Sequence, residues 1–586
     1  MAALLVVTSS FAAAAPLANV LAGHPSPYLA LHGNDPVAWQ EWNADTVARA
    51  KRENKLLYVS VGYFACHWCH VMQRESYKNP KIAAALNRDF IPVKVDRELN
   101  SGLDEALQQF SARLNGVAGW PLNAFVTPEG YPAFVALYAP PDEFRALLGR
   151  IAARWQADAA GVRRLARLAA PPAQRPASSA LTPARRMQAW ADFMRGVWQE
   201  ADSLHGGFGQ VSKFPMAPQL AALLERQRVQ PEAKLADFLR LSFDQMAARG
   251  LADHIGGGFF RYTVDPAWDT PHFEKMLYDN AHLAVLYLEA ADVLREPRYR
   301  DVTRATLDFM RDTLAAPGGG FYTSTSAVDA AGREGATYLW EPDELRRRLP
   351  PEVFAAVRRV WRLDAPRSFE GGYLPAELRP PTADERRLLS EAARILRPVR
   401  QARSLPLDIK QNAGLNGLAL SAFSRAAGLD PAYRQVADRT QAFLLARMVR
   451  GDRLVKSVAR GKVLPDAELE DYAYVAQGLL DHADATGNRA SRDHAVRLSR
   501  TAWQLFWSER GWMREARPLL ATASAEPALA DGALYSPSGM LLLASLRTGD
   551  AALMQRARQA AGWAVPEMAR DPYAWPTRVR VLDRVN

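Results

Sequence analysis

Apolar residues in the first quarter of the chain form short continuous runs separated by stretches of helical periodicity. Residues 56–61 and 90–95 are rich in β-branched and aromatic side chains, which is typical of buried strands. Residues 119–126 and 131–137 flank the sequence Thr-Pro-Glu-Gly, which predicts a hairpin turn. Apolar residues on one helical face predict helices at 45–54, 68–77 and 103–114. Together these elements predict an α/β domain.

From residue 184 onward the periodicity is almost entirely helical. Glycine-rich loops at 205–209, 256–260 and 318–322 recur at roughly the spacing of one helical hairpin. About a dozen helices in pairs predict an all-α domain, either an (α/α)6 toroid closed around a central pocket or an open solenoid. The predicted helices are 187–201, 218–228, 232–248, 274–294, 298–314, 352–363, 383–396, 412–427, 431–449, 469–486, 492–506, 538–546 and 551–568.

The composition is that of an ordinary soluble globular protein. Of the 586 residues, 48% are hydrophobic and 23% are charged, and the length predicts two or three domains. The net charge of +10 is spread over scattered arginines, and no nucleic-acid-binding motif accompanies it. We therefore expect no nucleic-acid partner.

The N-terminal segment, residues 1–18, is small and apolar, with an Ala-x-Ala-like sequence near its end. This pattern resembles a signal peptide, although no Lys or Arg precedes the apolar run; a mis-chosen start codon or a buried segment is the alternative. The segment is too short to span a membrane. Cleavage would make the protein periplasmic or secreted, and otherwise we expect it to be cytoplasmic. A Pro-, Ala- and Ser-rich linker at 169–183 separates the predicted domains 19–168 and 184–586.

The only two cysteines, Cys66 and Cys69, lie in the sequence Cys-His-Trp-Cys-His directly after the first predicted strand. Cys-x-x-Cys at a strand-to-helix turn is typical of a thioredoxin-like redox pair, and Cys-x-x-Cys-His is also the attachment motif of c-type haem. A helix N-terminus stabilises a thiolate, so we predict that Cys66 attacks and Cys69 resolves. His67 and Trp68 occupy the two inner positions, which tune the redox potential.

The other interpretations of the cysteine pair fit less well. A purely structural disulfide would close a very small loop and stabilise little, and a zinc site lacks a second cysteine pair. Pro121 directly precedes the third predicted strand, where a thioredoxin-like domain has a cis proline facing the cysteines. We therefore predict a thiol–disulfide oxidoreductase without cofactor or metal, in which Pro121 shapes the groove for a protein thiol or disulfide client.

Carboxylates and aromatic side chains crowd into residues 261–280. At the mouth of a toroid they suit a sugar-like ligand, because rings stack on sugars and carboxylates accept hydroxyl protons or act as acid and base. A carbohydrate-active hydrolase or epimerase, or a non-enzymatic binding protein, is therefore the alternative function. Equally, Asp265 and Asp269 could cap turns, with Phe273 and Met276 in the core. The predicted ligand-binding residues are Tyr262, Asp265, Trp268, His272, Glu274, Tyr278, Asp279, Glu470 and Asp471.

Several motifs are specific enough to compare with a known family. They include Ser26-Pro27-Tyr28-Leu29, Cys66-His67-Trp68-Cys69-His70, Gly119-Trp120-Pro121-Leu122-Asn123, Lys213-Phe214-Pro215 and Pro271-His272-Phe273-Glu274-Lys275-Met276-Leu277-Tyr278-Asp279. From about residue 19 the chain resembles the spermatogenesis-associated protein 20-like, or YyaL-type, thioredoxin-domain family. The resemblance implies a thioredoxin-like domain joined to an (α/α)6 barrel of the six-hairpin glycosidase type. The family's Asp-Asp-Lys and Ser-Gly-Asn read Asp408-Ile409-Lys410 and Ser538-Gly539-Met540 here, which removes candidate sugar-contacting groups.

Overall fold

The computed structural model describes residues 17–171, 181–367, 369–563 and 565–585. Most of the predicted signal peptide at 1–18, and most of the predicted linker at 169–183, lies outside the described residues. Within the described ranges, no helix is both long enough and apolar enough to cross a membrane.

The N-terminal domain is a four-stranded sheet with helices on both faces. Its elements are α1 Pro27–Leu31, α2 Ala44–Glu53, β1 Leu56–Gly62, α3 His67–Met72, α4 Pro80–Asp89, β2 Phe90–Asp96, α5 Ser101–Asn115, β3 Leu122–Val126, β4 Pro132–Ala136 and α6 Pro141–Leu168. The strand order is β2-β1-β3-β4; β1 is parallel to β2 and antiparallel to β3. Side chains alternate along β1, so Leu57, Val59 and Val61 pack in a hydrophobic core on one face of the sheet and Leu56 and Tyr58 pack in a core on the other face.

The predicted elements of this domain are present, with some differences at their ends. The helix predicted at 68–77 begins at His67, and its last turn, Gln73–Tyr77, is π-helical. Helix α4 was not predicted, although the Asn79 side chain caps it and Pro80 takes its first position, which is a usual start signal. The thioredoxin-like fold of this domain is confirmed.

The C-terminal domain is a ring of helical hairpins. Its helices are α7 Pro183–Glu200, α8 Ala217–Val229, α9 Ala233–Ala248, α10 Leu277–Val293, α11 Tyr299–Phe309, α12 Pro342–Arg348, α13 Pro351–Val360, α14 Ala383–Gln401, α15 Ala413–Arg425, α16 Pro431–Phe443, α17 Leu469–Thr486, α18 Arg489–Phe506, α19 Pro537–Arg547, α20 Ala551–Ala561, α21 Val565–Arg570 and α22 Pro576–Arg584. In the inner ring α8, α10, α15, α17, α19 and α22 each pack against the next, and α22 closes on α8.

The outer helices complete the (α/α)6 toroid. Helices α7, α9, α11, α16, α18 and α20 each pack mainly against one inner helix, and α16, α18 and α20 also contact a second one; α12 to α14 belong to an excursion between α11 and α15. Inner helices such as α15 are buried on nearly all sides, whereas outer helices such as α18 bury a single apolar stripe. The ring closes, so the open solenoid considered from the sequence is wrong.

Short strands occupy the end of the toroid that contacts the N-terminal domain, where the Asn412 side chain donates to the Glu98 carbonyl at 3.0 Å. The sequence did not predict them; seven of the nine have only two residues, which is too short to carry a periodicity. They are β5 Lys275–Met276, β6 Ser324–Thr325, β7 Leu407–Asp408, β8 Gln411–Asn412, β9 Val449–Arg450, β10 Arg453–Ala459, β11 Lys462–Asp466, β12 Trp507–Ser508 and β13 Gly511–Trp512.

The second and third of the repeated glycine-rich loops bind an asparagine on the inner helix that follows. Asn280 on α10 accepts the Phe259 N–H at 2.7 Å and donates to the Phe259 carbonyl at 3.1 Å. Asn416 on α15 binds Phe321 in the same way. Gly320 has a φ of 69°, and a Cβ there would lie 2.9 Å from the Asn416 Oδ1. These contacts hold residues 261–279 at the mouth of the toroid.

Candidate functional site between the thioredoxin-like domain and the toroid

Three loops of the N-terminal domain meet at one edge of its sheet. Gly62, the last residue of β1, pairs with Asp96, the last residue of β2. The neighbouring Val61 pairs with Leu122, the first residue of β3. The segments after β1 and β2 and the segment before β3 therefore leave the sheet at the same edge. They carry Cys66, Arg97 and Pro121, respectively. The Trp120–Pro121 bond is cis, which confirms the predicted isomer.

Cys66 and Cys69 are joined as a disulfide at the start of α3. Cys66 is the N-cap residue, and its Sγ accepts the backbone N–H of Cys69 at 3.2 Å. The pair is enclosed: Cys66 is 4% exposed and Cys69 is 1% exposed, whereas Trp68 between them is 44% exposed. The two cysteines are therefore shielded from solvent beside an exposed tryptophan.

The two histidines beside the cysteines are held in their neutral form. Burial lowers the pKa of His70 to about 4, and its Nε2 contacts the Phe64 carbonyl at 2.8 Å. Burial also lowers the pKa of His67, opposed by the nearby carboxylate of Glu334. Stabilisation of a Cys66 thiolate at neutral pH therefore comes mainly from the N-terminus of α3.

A segment of the toroid lies directly against the residues before and within the cysteine motif. The Ala327 N–H donates to the Ala65 carbonyl at 3.4 Å. The Glu334 carboxylate lies between His67 and His272, 3.6 Å from one Nδ1 and 3.1 Å from the other. A single carboxylate of the toroid thus bridges the cysteine-bearing helix and the mouth of the toroid.

Two arginines, one from each domain, enclose Trp120 beside the cis proline. The guanidinium of Arg97 lies 4.2 Å from the Trp120 ring centroid, and that of Arg261 lies 5.1 Å from it. Arg261 donates to the Tyr63 hydroxyl, and Arg97 pairs with Asp104 at 3.1 Å. Arg261 therefore occupies the surface next to the Trp120–Pro121 bond.

Within the described residues, this region holds buried polar atoms that have no hydrogen-bond partner. They are the Arg97 Nη1, the Arg261 Nε, the Tyr278 hydroxyl and the Asp279 Oδ2. Glu274 lies beside them, 3.5 Å from Arg261. Burial raises the pKa of Asp279 to about 7, against the opposing charge of Arg261. Unpaired buried polar groups are rare and indicate an unseen partner such as water or a ligand.

Five of the toroid residues predicted to bind a ligand lie at the toroid mouth, and two others have local roles. Glu274, Tyr278 and Asp279 line the polar region beside Arg261, and Tyr262 stacks on His272 at 4.7 Å. In contrast, the Asp265 carboxylate accepts three backbone N–H groups of residues 267–270. Trp268 is fully buried, and its indole N–H donates to the His205 carbonyl.

The two remaining predicted residues, Glu470 and Asp471, lie at a separate contact between the domains. Glu470 accepts from the Ser101 hydroxyl at 2.7 Å and from the Lys456 ammonium at 2.9 Å. Asp471 accepts the backbone N–H of Gly414 at 3.0 Å and that of residue 468 at 2.9 Å, which caps α17. Their oxygens are therefore committed to domain contact and helix capping.

Lys410 joins the domains through three buried carboxylates. Its ammonium contacts Asp96 at 2.8 Å and Glu98 at 3.1 Å in the N-terminal domain, and Asp408 in the toroid. Burial raises the pKa of Asp408 to about 7 although Lys410 opposes the shift. Among the residues that the structure describes, no group of three or more His, Cys, Asp or Glu side chains is arranged to hold a metal ion.

Four residues that shape this site are not among those predicted from the sequence: Tyr63, Arg97, Arg261 and Glu334. Tyr63 and Arg97 directly follow β1 and β2, so their position at the sheet edge was a usable signal. Arg261 directly follows the second glycine-rich loop, and Glu334 lies in the excursion of the toroid. Nothing local in the sequence marks either of these two as a partner of the cysteine motif.

Comparisons with known proteins give one family model and several distant solved structures. A family model named Thioredox_DsbH, described as a protein of unknown function, DUF255, matches residues 18–170. Among solved structures, the D-mannose isomerase is similar with a TM-score of 0.44 and 9% identity, over 65% of this chain and 86% of that one. A family 76 α-mannanase from Bacteroides thetaiotaomicron has a TM-score of 0.40 and 10% identity, over 64% of this chain and 82% of that one.

The match to other relatives extends over both domains. Spermatogenesis-associated protein 20 of Mus musculus is 32% identical over 565 residues, which cover 84% of this chain and 70% of the relative. An uncharacterized protein of Caenorhabditis elegans, B0495.5, is 30% identical over 549 residues, covering 84% of this chain and 75% of the relative. With the cysteine motif, the cis proline and the toroid mouth all in place, the chain belongs to the spermatogenesis-associated protein 20 family.

Proposed function

We propose that the protein is a thiol–disulfide oxidoreductase that works through Cys66 and Cys69. The observation that carries the proposal is their placement: the two sulfur atoms are joined at the N-terminus of α3, at the same sheet edge as the cis Trp120–Pro121 bond. When the Cys66–Cys69 disulfide is reduced, the helix N-terminus favours a thiolate at Cys66.

Reduction of a client would proceed by two exchange steps. The Cys66 thiolate attacks one sulfur of the client disulfide, forms a mixed disulfide and releases one client thiolate. The Cys69 thiolate then attacks the Cys66 sulfur, closes the intramolecular disulfide and releases the second client thiolate. Two electrons pass from the cysteines to the client, whose two thiolates take up the two protons lost by the cysteine thiols. The reverse sequence oxidises a client dithiol.

The toroid controls access to this chemistry. Arg261 occupies the surface beside Trp120, and the segment that carries Glu334 lies against His67. Because Cys66 is 4% exposed, a client sulfur reaches it only when this segment moves. The toroid therefore selects which clients reach the cysteine pair.

Insulin reduction in the presence of dithiothreitol tests the proposed activity. We expect the wild-type protein to accelerate precipitation of the insulin B chain and the Cys66→Ser variant to have no effect above background. Equal activity of the two proteins would refute the proposal.

A trapping experiment identifies the clients. The Cys69→Ser variant keeps the attacking thiol and lacks the resolving one, so clients should remain bound as mixed disulfides that a reductant releases. The matched control is the Cys66→Ser/Cys69→Ser double variant. Partners recovered equally with both variants would instead support a non-enzymatic binding protein.

We propose as a second candidate that the toroid mouth binds a polar, sugar-like ligand, as in a carbohydrate-active hydrolase or epimerase. The observation that favours it is the set of unpaired buried atoms on Arg97, Arg261, Tyr278 and Asp279. A thermal-shift screen of mono- and oligosaccharides should find a sugar that stabilises the wild type but not Asp279→Asn. Asp237→Asn, a change at an exposed carboxylate on α9, is the control. No shift with any sugar would contradict this candidate.

A further inference from the structure

The hydroxyl of Tyr28 and the sulfur of Cys69 face the same small space inside the N-terminal domain. Gly62, the last residue of β1, leaves this space open. A Cβ at Gly62 would collide with the Tyr28 hydroxyl and would lie 2.8 Å from the Cys69 Sγ. The missing side chain of Gly62 thus allows the hydroxyl and the sulfur to approach each other.

The Tyr28 hydroxyl has no hydrogen-bond partner among the described residues, although the side chain is only 1% exposed. The side chain is held firmly: Ser26 caps α1 and donates to Asp96 at 2.6 Å, and His32 contacts the tyrosine ring edge-on at 5.2 Å. A buried hydroxyl without a partner is costly. Its fixed position beside Cys69 indicates a partner that forms in another redox state.

We propose that Tyr28 is a positioning residue for the redox reaction, whose hydroxyl donates a hydrogen bond to the Cys69 sulfur once the disulfide is reduced. This inference rests on the proposed redox function. A disulfide sulfur is a poor acceptor, whereas the thiolate of Cys69 is a charged one that a buried hydroxyl stabilises. Reduction breaks the Cys66–Cys69 bond by adding two electrons; a proton from solvent converts the Cys66 sulfur to a thiol, while the Cys69 sulfur stays a thiolate until it also takes up a proton. Tyr28 keeps its own proton throughout, since burial raises the pKa of its hydroxyl.

Charged groups around Tyr28 agree with this role. The ammonium of Lys94 lies 5.2 Å from the Tyr28 ring centroid and favours a nearby thiolate. The carboxylates that also face Tyr28 are engaged: Asp35 with His32 at 2.6 Å, and Asp96 with Lys410 at 2.8 Å. The Tyr77 hydroxyl is the remaining titratable group that faces Tyr28, and it forms a hydrogen bond with the Ser60 hydroxyl at 2.7 Å. Burial lowers the pKa of Lys94 to about 7, so this lysine, which donates to Ser60 at 2.9 Å, carries only part of a positive charge near neutral pH.

The test compares Tyr28→Phe with the wild type in buffers of reduced and oxidised dithiothreitol. We expect the equilibrium of the variant to shift about tenfold toward the disulfide, the size of one hydrogen bond to a charged group, or about 30 mV. The matched control is Tyr58→Phe, because that buried hydroxyl is bound to Asn123 at 2.7 Å and Tyr77 at 3.1 Å. This control should lose stability without a shift in the redox equilibrium.

Two further readouts separate a redox role from a merely structural one. In the Cys66→Ser background, Tyr28→Phe should raise the pKa of the Cys69 thiol, measured by the pH dependence of alkylation. Tyr28→Phe should also lower the Tm of the reduced protein but not that of the oxidised protein, where the hydroxyl has no partner to lose.

The outcomes are distinct from those of the insulin assay, because the dithiothreitol equilibrium needs no client. An unchanged equilibrium and an unchanged Cys69 pKa in Tyr28→Phe would overturn this inference, even in a protein that reduces insulin. A shifted equilibrium in a protein without insulin activity would support it and refute only the proposed activity.

Discussion

Replacing Lys410 with methionine would leave three buried carboxylates without their shared cation. The lysine ammonium lies 2.8 Å from Asp96, 3.1 Å from Glu98 and in contact with Asp408, and all four side chains are buried. Removing one partner of a buried ion pair costs about 3–5 kcal/mol, because the remaining charge keeps its desolvation penalty. The penalty should appear first as opening of the domain contact, since Asp96 and Glu98 belong to one domain and Asp408 to the other.

The loss of stability caused by Lys410→Met should increase with pH. The pKa of Asp408 in the folded protein is about 7, above its unfolded value of 3.8. The folded state therefore holds a proton between about pH 4 and pH 7 that the unfolded state has lost, and stability falls as the pH rises through this window. Without Lys410 the carboxylates can be accommodated only by protonation, so we expect the Lys410→Met variant to lose more stability at pH 8 than at pH 5.5.

Hydrogen–deuterium exchange measures this opening locally. At pH 8, about 3–5 kcal/mol corresponds to exchange faster by roughly a hundredfold to several thousandfold in residues 96–104 and 407–412, relative to the wild type at the same pH. Lys213→Met is the matched control, because this buried lysine pairs with a single carboxylate, Asp202, within the toroid. It should leave exchange at the domain contact unchanged. If amides at the domain contact exchange in Lys410→Met at the same rate as in the wild type, the reasoning is refuted.

Two further changes test the electrostatics of the site. Glu334→Ala removes the contacts with His67 and His272, together worth up to about 1 kcal/mol at a partly exposed position because His67 is neutral, so reduction of the Cys66–Cys69 disulfide by dithiothreitol should be up to about fivefold faster. An unchanged rate would show that this segment does not limit access. Asp279→Asn removes a carboxyl whose pKa is raised to about 7, so the free energy of unfolding should decline less between pH 4.5 and 7.5 than in the wild type, by at most about 1.4 kcal/mol per pH unit, and the decline of Tm should be shallower. Parallel Tm curves would contradict the raised pKa.

Much of the fold follows from local patterns. The apolar runs at 56–61 and 90–95 became β1 and β2, and the apolar faces of the later helices became the two layers of the toroid. Periodicity could not show whether the last hairpin returns to the first, because each helix displays the same apolar stripe in a ring and in a solenoid. The packing of α22 against α8 decides this.

The candidate site divides in the same way. The cysteine motif and Pro121 could be predicted from the sequence because each is marked by residues next to it in the chain. The pairing of Arg261 with Tyr63 was not, because the two residues are 198 positions apart. Asp265 and Trp268 have local roles because an aspartate in a tight loop binds nearby N–H groups and a tryptophan fills a core.

The sequence by itself determined that this protein places two cysteines at a strand-to-helix turn, followed by a long array of helical hairpins. Backbone preference, helix capping and apolar periodicity act over a few residues, so they can be read along the chain. Only the tertiary structure decided that the toroid covers the cysteine pair and that Lys410 neutralises carboxylates of both domains. Burial and charge pairing are set by residues far apart in the chain, and their magnitude depends on the water that folding excludes.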